Sequence, residues 1–303
     1  MSEWAADEAE RRFGLAPGSF PFASRFVDVA GHRVHYVDEG QGPTLFMLHG
    51  NPTWSYVYRH LIADLRRDYR CVAMDLPGFG LSEAAAGYGF RPDEHTLVVA
   101  EVLRRLDIAD ATLVAHDWGG PIGIGAMGQA SGRITRLALG NTWAWPVNGD
   151  LHFEWFSKLL GGPLGRWAAM RHAIFVNMLM PSTMKRRSLS DEEMKAYRAP
   201  FADRARRVPM HVFPAQITGA GRWLATVEAT ARQFRGPMHL LWPSEDIAFR
   251  ARELARWKRL CPQATVTHIE RCGHFLWEDA SDECVAALRS FLVTRRGAES
   301  IAA

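Results

Sequence analysis

The chain has 303 residues, 48% hydrophobic and 23% charged, enough for one α/β core with a large insertion. Its net charge of +3 comes from scattered arginines, so no basic groove for nucleic acid is expected, and no apolar run reaches transmembrane length. Cys71, Cys261, Cys272 and Cys284 form no C-x-x-C, which argues against disulfide staples and zinc ribbons and for a reducing, cytoplasmic setting.

Residues 1 to about 24 are weakly patterned and read as an N-terminal arm. Phe26-Val27-Asp28-Val29 and Val34-His35-Tyr36-Val37 alternate around Gly31-His32, the pattern of an antiparallel hairpin. Thr44-Leu45-Phe46-Met47-Leu48 is continuously apolar, as a central parallel strand is, and ends in His49-Gly50-Asn51-Pro52. A helix is expected over Tyr56 to Arg66 and a strand over Arg70 to Met74, followed by the turn-rich Asp75-Leu76-Pro77-Gly78-Phe79-Gly80. An amphipathic helix covers Pro92 to Leu106, and strands follow at Ala111–Ala115 and Arg136–Leu139.

From Trp143 to Val227 helical periodicities succeed one another without a strand, which predicts a helical cap over 143–227 inserted into a core of 1–142 and 228–303. The sheet resumes at Met238–Trp242, a helix is expected over Phe249 to Leu260, a strand over Ala264 to Ile269, a last helix over Asp282 to Arg295, and a frayed tail over 297–303. Alternating strands and helices imply a mostly parallel sheet flanked by helices, with its ligand site at the carboxyl ends of the strands.

The chemistry centres on Val114-Ala115-His116-Asp117-Trp118-Gly119-Gly120. A strand, a sharp turn and a small-residue helix start make the nucleophile elbow of α/β-hydrolases, here with an aspartate at the apex. A carboxylate is ionised at neutral pH and can displace a leaving group from saturated carbon, giving an enzyme ester that water must then hydrolyse. The bland reading of Asp117 is a helix cap. His274, in Arg271-Cys272-Gly273-His274-Phe275 after the last strand, stands where the hydrolase order puts the base. Cys272 beside it is a small packing residue on this reading. No carboxylate follows the strand ending at Leu139 before Asp150, so the orienting acid must come from Ser244-Glu245-Asp246, with Asp246 preferred and Glu245 the competitor. The backbone N–H groups of Asn51 and Trp118 would form an oxyanion hole, and their side-chain N–H groups are neutral donors suited to an expelled halide. The bland alternatives are a turn asparagine and a core tryptophan.

These motifs, with Trp242-Pro243-Ser244-Glu245-Asp246 and Gly273-His274-Phe275-Leu276-Trp277-Glu278-Asp279, resemble the haloalkane dehalogenases over about residues 20 to 295. The resemblance implies an α/β-hydrolase fold, Asp117 as nucleophile, His274 as base, Asp246 as acid, and Asn51 with Trp118 around the halide, as in the third subfamily. Pro243 stands where that family usually has glycine. The implied partners are a small uncharged halogenated substrate, halide and water, with no cofactor, metal, nucleic acid or membrane and with a homo-oligomer left open. An apolar pocket is expected from Trp143, Phe153, Phe156, Phe175, Leu179 and Met180 of the cap, with Phe249 and Leu276 of the core. Epoxide hydrolases share the Asp-His-Asp design but use a pair of cap tyrosines, and this cap has one, Tyr197. A catalytically silent ligand-binding protein of the same fold is the reading from another class.

Overall fold

A computed structural model of the chain describes residues 2–4 and 8–299. Among these, nine strands form one sheet: β1 (Ser2–Trp4), β2 (Ser24–Val29), β3 (His32–Glu39), β4 (Thr44–Leu48), β5 (Arg70–Met74), β6 (Ala111–His116), β7 (Ile134–Gly140), β8 (Met238–Pro243) and β9 (Thr265–Ile269). The order is β1-β2-β3-β5-β4-β6-β7-β8-β9, antiparallel from β1 through β3 to β5 and parallel from β5 onward. The parallel centre follows from composition. Both faces of β4 and β6 are covered, so their residues are apolar without alternation.

The chain runs from β4 outward to β5, then crosses back to β6 on the other side of β4. β4 and β6 are therefore neighbours whose following loops part in opposite directions, the crevice in which such sheets hold ligands. The loop after β4 carries Asn51 and the loop after β6 carries Asp117.

Between β7 and β8 the inserted helices include Leu151–Gly161, Pro163–His172, Asp191–Arg198 and Val208–Gly219. Phe175–Leu179 winds as a π-helical turn, a form concentrated at functional sites. The expected boundary at Val227 falls inside the helix Gly221–Gln233, which packs on the core helix Gly119–Gln129. Its apolar face, Leu224, Val227 and Ala231, is buried, so the periodicity continues across the predicted border.

The N-terminus also departs from expectation. β1 adds to the open edge of β2, and Glu8–Phe13 is a helix. Its Glu10 is buried and accepts hydrogen bonds from the backbone N–H groups of Gly18 (3.1 Å) and Phe20 (2.7 Å). The last helix, Ser281–Glu299, runs into the expected tail, and residues 300–303 lie outside the described residues.

A buried ionic cluster joins insertion to core. Glu278 accepts from Arg59, from Arg187 (2.7 Å) and from the Tyr197 hydroxyl, and Glu193 bridges both arginines (2.7 and 2.8 Å). His60 lies close enough to Glu193 and Glu278 for a metal triad, but both carboxylates are already paired with arginine. Removing one partner of a buried pair strands the others. Glu278→Gln should therefore lower unfolding stability by about 3–5 kcal/mol. Glu228→Gln, in the exposed pair with Arg232 and the half-buried pair with Arg256 near the surface, should change it by only about 1 kcal/mol or less. Urea midpoints compare the two.

Candidate active site

Asp117 occupies the turn between β6 and the helix Gly119–Gln129 at φ 51°, the left-handed region that costs a side-chain-bearing residue about 1–3 kcal/mol. Its surroundings fix that conformation. The Asp117 N–H donates to Asn141 O (3.1 Å), and its carbonyl accepts from Thr142 Oγ1 (2.6 Å) and from Gly120 N–H (3.1 Å). A Cβ at Gly119 would run into the Leu48 carbonyl, so only glycine lets the helix begin this close to β4. The carboxylate thus stands above the sheet, and Asn51 N–H donates to its Oδ1 (2.8 Å).

His274 Nε2 lies 3.7 Å from Asp117 Oδ2, and His274 Nδ1 lies 2.9 Å from Asp246 Oδ2. Asp246 is buried while Glu245 is exposed. Asp246 Oδ1 accepts from Ala248 N–H (2.6 Å) and Oδ2 from Asn141 Nδ2 (2.5 Å). The loop that carries His274 is held on two sides. Gly273 N–H donates to Asp279 Oδ2 (2.8 Å), and the His274 carbonyl accepts from His116 Nε2 (2.8 Å) and Asn141 Nδ2 (3.2 Å). Phe249 stacks on the imidazole, with centroids 5.8 Å apart and planes at 27°.

Burial pushes the Asp117 carboxyl above its ordinary range, against the pull of His274 and the backbone N–H groups of Trp118 and Asn51. Burial would depress His274, but Asp246 and Asp117 outweigh it and hold the imidazole above its usual value. Burial also pushes the Cys272 thiol up, which suits packing rather than nucleophilic attack.

Asp117, His274, Asn51 and Trp118 all line one cavity, whose other walls are apolar except at His152 and Thr183. Trp143, Phe153, Phe156, Phe175, Leu179, Met180 and Phe249 line it as expected. Leu276 does not. The short helix Leu276–Asp279 turns that side chain down onto β7, where a Cβ at Gly140 would meet it, and Phe275 faces the cavity instead. Trp118 is packed edge-on against Trp143, with centroids 4.6 Å apart. Tyr197, the one tyrosine of the insertion, is buried against Glu278 and is not among the lining residues.

Asn141, Thr142, His116 and Asp279 were not singled out from the sequence as parts of the site. His116 stands inside the elbow motif and Asn141 just after an expected strand, yet nothing local shows that they reach His274 or Asp246, from which they are 158 and 105 positions away.

Residues 43–281 match the family described as alpha/beta hydrolase fold. Haloalkane dehalogenase 2 of Mycobacterium tuberculosis strain ATCC 25618 / H37Rv is 38% identical over 275 residues, 90% of this chain and 96% of the relative. The cis-3-alkyl-4-alkyloxetan-2-one decarboxylase of Shewanella oneidensis is 32% identical, over 90% of this chain and 89% of the relative. The crystal structure of haloalkane dehalogenase DbeA from Bradyrhizobium elkani USDA94 superposes with a TM-score of 0.81 at 25% identity, covering 91% of this chain and 99% of that one. The chain therefore belongs to the α/β-hydrolase fold family and, within it, to the haloalkane dehalogenases.

Proposed function

We propose that this protein hydrolyses haloalkanes to alcohol, halide and a proton through an aspartyl ester. The observation that carries the reading is the Asp117 carboxylate, fixed in an apolar cavity and facing an imidazole whose other nitrogen engages Asp246. In the first step one Asp117 oxygen forms a bond to carbon as the carbon–halogen bond breaks, with the electron pair leaving on the halide. Asn51 N–H holds Oδ1, so Oδ2 is the freer nucleophile. The Trp118 indole and Asn51 side-chain N–H groups stabilise the departing anion more than the neutral substrate, which is the condition for catalysis.

The second step needs a base. The 3.7 Å between His274 Nε2 and Asp117 Oδ2 exceeds a direct hydrogen bond, which leaves Nε2 available to accept from an attacking water. His274 takes a proton from that water as its oxygen attacks Asp117 Cγ. The oxyanion forms at the oxygen facing the Asn51 and Trp118 backbone N–H groups, and its collapse releases the alcohol. Asp246 holds the tautomer and stabilises the imidazolium. An epoxide would need acid donors on its oxygen, and Tyr197 is committed to Glu278. That contact supports a halide leaving group.

A screen of bromoalkanes, epoxides and a cis-3,4-dialkyl oxetan-2-one tests the reading. Halide release from bromoalkanes is expected. Carbon dioxide and alkene from the lactone, with no halide released from any bromoalkane, would overturn it. His274→Ala should release about one halide per site and then stop, with steady turnover lowered by about 10³-fold or more and an alkyl adduct on Asp117 by peptide mass mapping. Steady turnover in that variant would remove His274 as the base. Asp246→Asn should lower ester hydrolysis by about 10²-fold or more while Glu245→Gln leaves it within about twofold. The reverse order would transfer the acid role to Glu245.

The pH dependence follows from charge. His274 must be neutral to act, so hydrolysis rises with pH through its pKa. Asp117 is one of the groups that raise that pKa in the free enzyme, and esterification removes its charge. The midpoint for single-turnover ester hydrolysis should therefore lie below the His274 midpoint measured by NMR in the free enzyme. Equal midpoints would show that Asp117 does not act on His274.

A further inference from the structure

The helix Leu151–Gly161 has two apolar faces. One faces the cavity through Phe153 and Phe156. The other faces solvent: Leu151 is 70% exposed, Trp155 72% and Leu159 61%. At a spacing of four these three fall within an arc of about 80°. The adjoining helix Pro163–His172, packed on the first, exposes Leu164 (67%) and Trp167 (58%). Single exposed apolar residues are ordinary, but a stripe of three with two tryptophans in the group marks an interaction surface.

Two further observations say what covers it. The first is charge. Residues 143–227 hold twelve Lys and Arg against six Asp and Glu, while the rest of the chain holds 24 against 27. On the two helices themselves Lys158, Arg166 and Arg171 are exposed, and the acid among them, Glu154, is partly covered beside Lys158. Tryptophan, leucine and lysine or arginine on one face fit an anionic bilayer surface, which takes up the rings at headgroup depth and attracts the cations. The second is position. Ile247 lines the cavity and is 57% exposed, so the cavity reaches the surface there. His152, next to exposed Leu151, lines the same cavity. The first residue of the stripe is thus the sequence neighbour of a cavity-lining residue.

We propose that the outer face of the helices 151–161 and 163–172 docks peripherally on anionic membrane surfaces and draws lipophilic substrate from the lipid into the cavity. No described helix is long and apolar enough to cross a membrane, so the contact is with one leaflet only. Vesicle binding is independent of the reaction assigned above, so either idea can fail alone. The substrate route, by contrast, rests on that assignment.

The full-length protein is sedimented with phosphatidylcholine vesicles that contain or lack phosphatidylglycerol. Binding to the anionic vesicles is expected, with a drop of about tenfold in Trp155→Ser/Trp167→Ser and a similar drop on raising salt from about 0.15 to 1 M. Both side chains point outward, so thermal melting of the variant should match the parent and separates lost binding from lost fold. No binding to either vesicle overturns the proposal. So does binding that survives both substitutions, or that ignores lipid charge and salt. A protein that elutes as a dimer, becomes a monomer on substitution and does not bind vesicles assigns the face to a second copy of the chain and overturns it too.

Discussion

The left-handed backbone of Asp117 is the constraint on which the site depends. A residue with a side chain does not hold φ 51° unless its neighbours leave no alternative. Here Thr142 and Gly120 bond its carbonyl, Asn141 accepts its N–H, and Gly119 brings the helix against Leu48. All of these contacts come from the ends of β4, β6 and β7, which are adjacent in the sheet. The register of three parallel strands is thus converted into the position of one carboxylate.

The same strand ends position His274. Asn141 reaches both Asp246 and the His274 carbonyl, and His116, one residue before Asp117, also bonds that carbonyl. The proposed nucleophile, base and acid are therefore joined by buried hydrogen bonds as well as by their own contacts. A buried polar network inside an apolar shell holds a geometry that loops alone would not. The low polarity of the cavity strengthens every charge interaction within it, which is why His274 stays above its ordinary pKa despite burial.

The inserted helices belong to this design. Glu278 and Asp279 follow His274 closely on one short helix, and both turn toward the insertion. Glu278 gathers Arg59, Arg187 and Tyr197, while Asp279 accepts from the backbone N–H groups of Gly273, Lys185 and Arg186. The insertion and the loop that carries the imidazole are thus anchored on the same short helix, through Glu278 and Asp279. A shift of the insertion would be felt at His274 through this anchor.

What the sequence determined by itself is local or ordered along the chain. Continuous apolar runs identified the parallel strands, the small residues after Asp117 identified the elbow, and chain order pointed to His274. Each of these is a property of a few neighbouring residues, so a pattern can reveal it. What only the tertiary structure decided is which side of an element is covered. Glu245 and Asp246 are equivalent carboxylates in sequence, and the packing of their loop against Asn141 and His274 buries one and exposes the other. Leu276 and Phe275 are equally apolar, and the start of a four-residue helix sends the first to the sheet and the second to the cavity. The cap boundary expected at Val227 lies within the helix Gly221–Gln233, because a periodic stripe does not say what it packs on. β1 and the buried Glu10 were missed for a related reason. An edge strand and a carboxylate that satisfies distant backbone N–H groups leave no periodic signature, because their partners lie elsewhere in the chain.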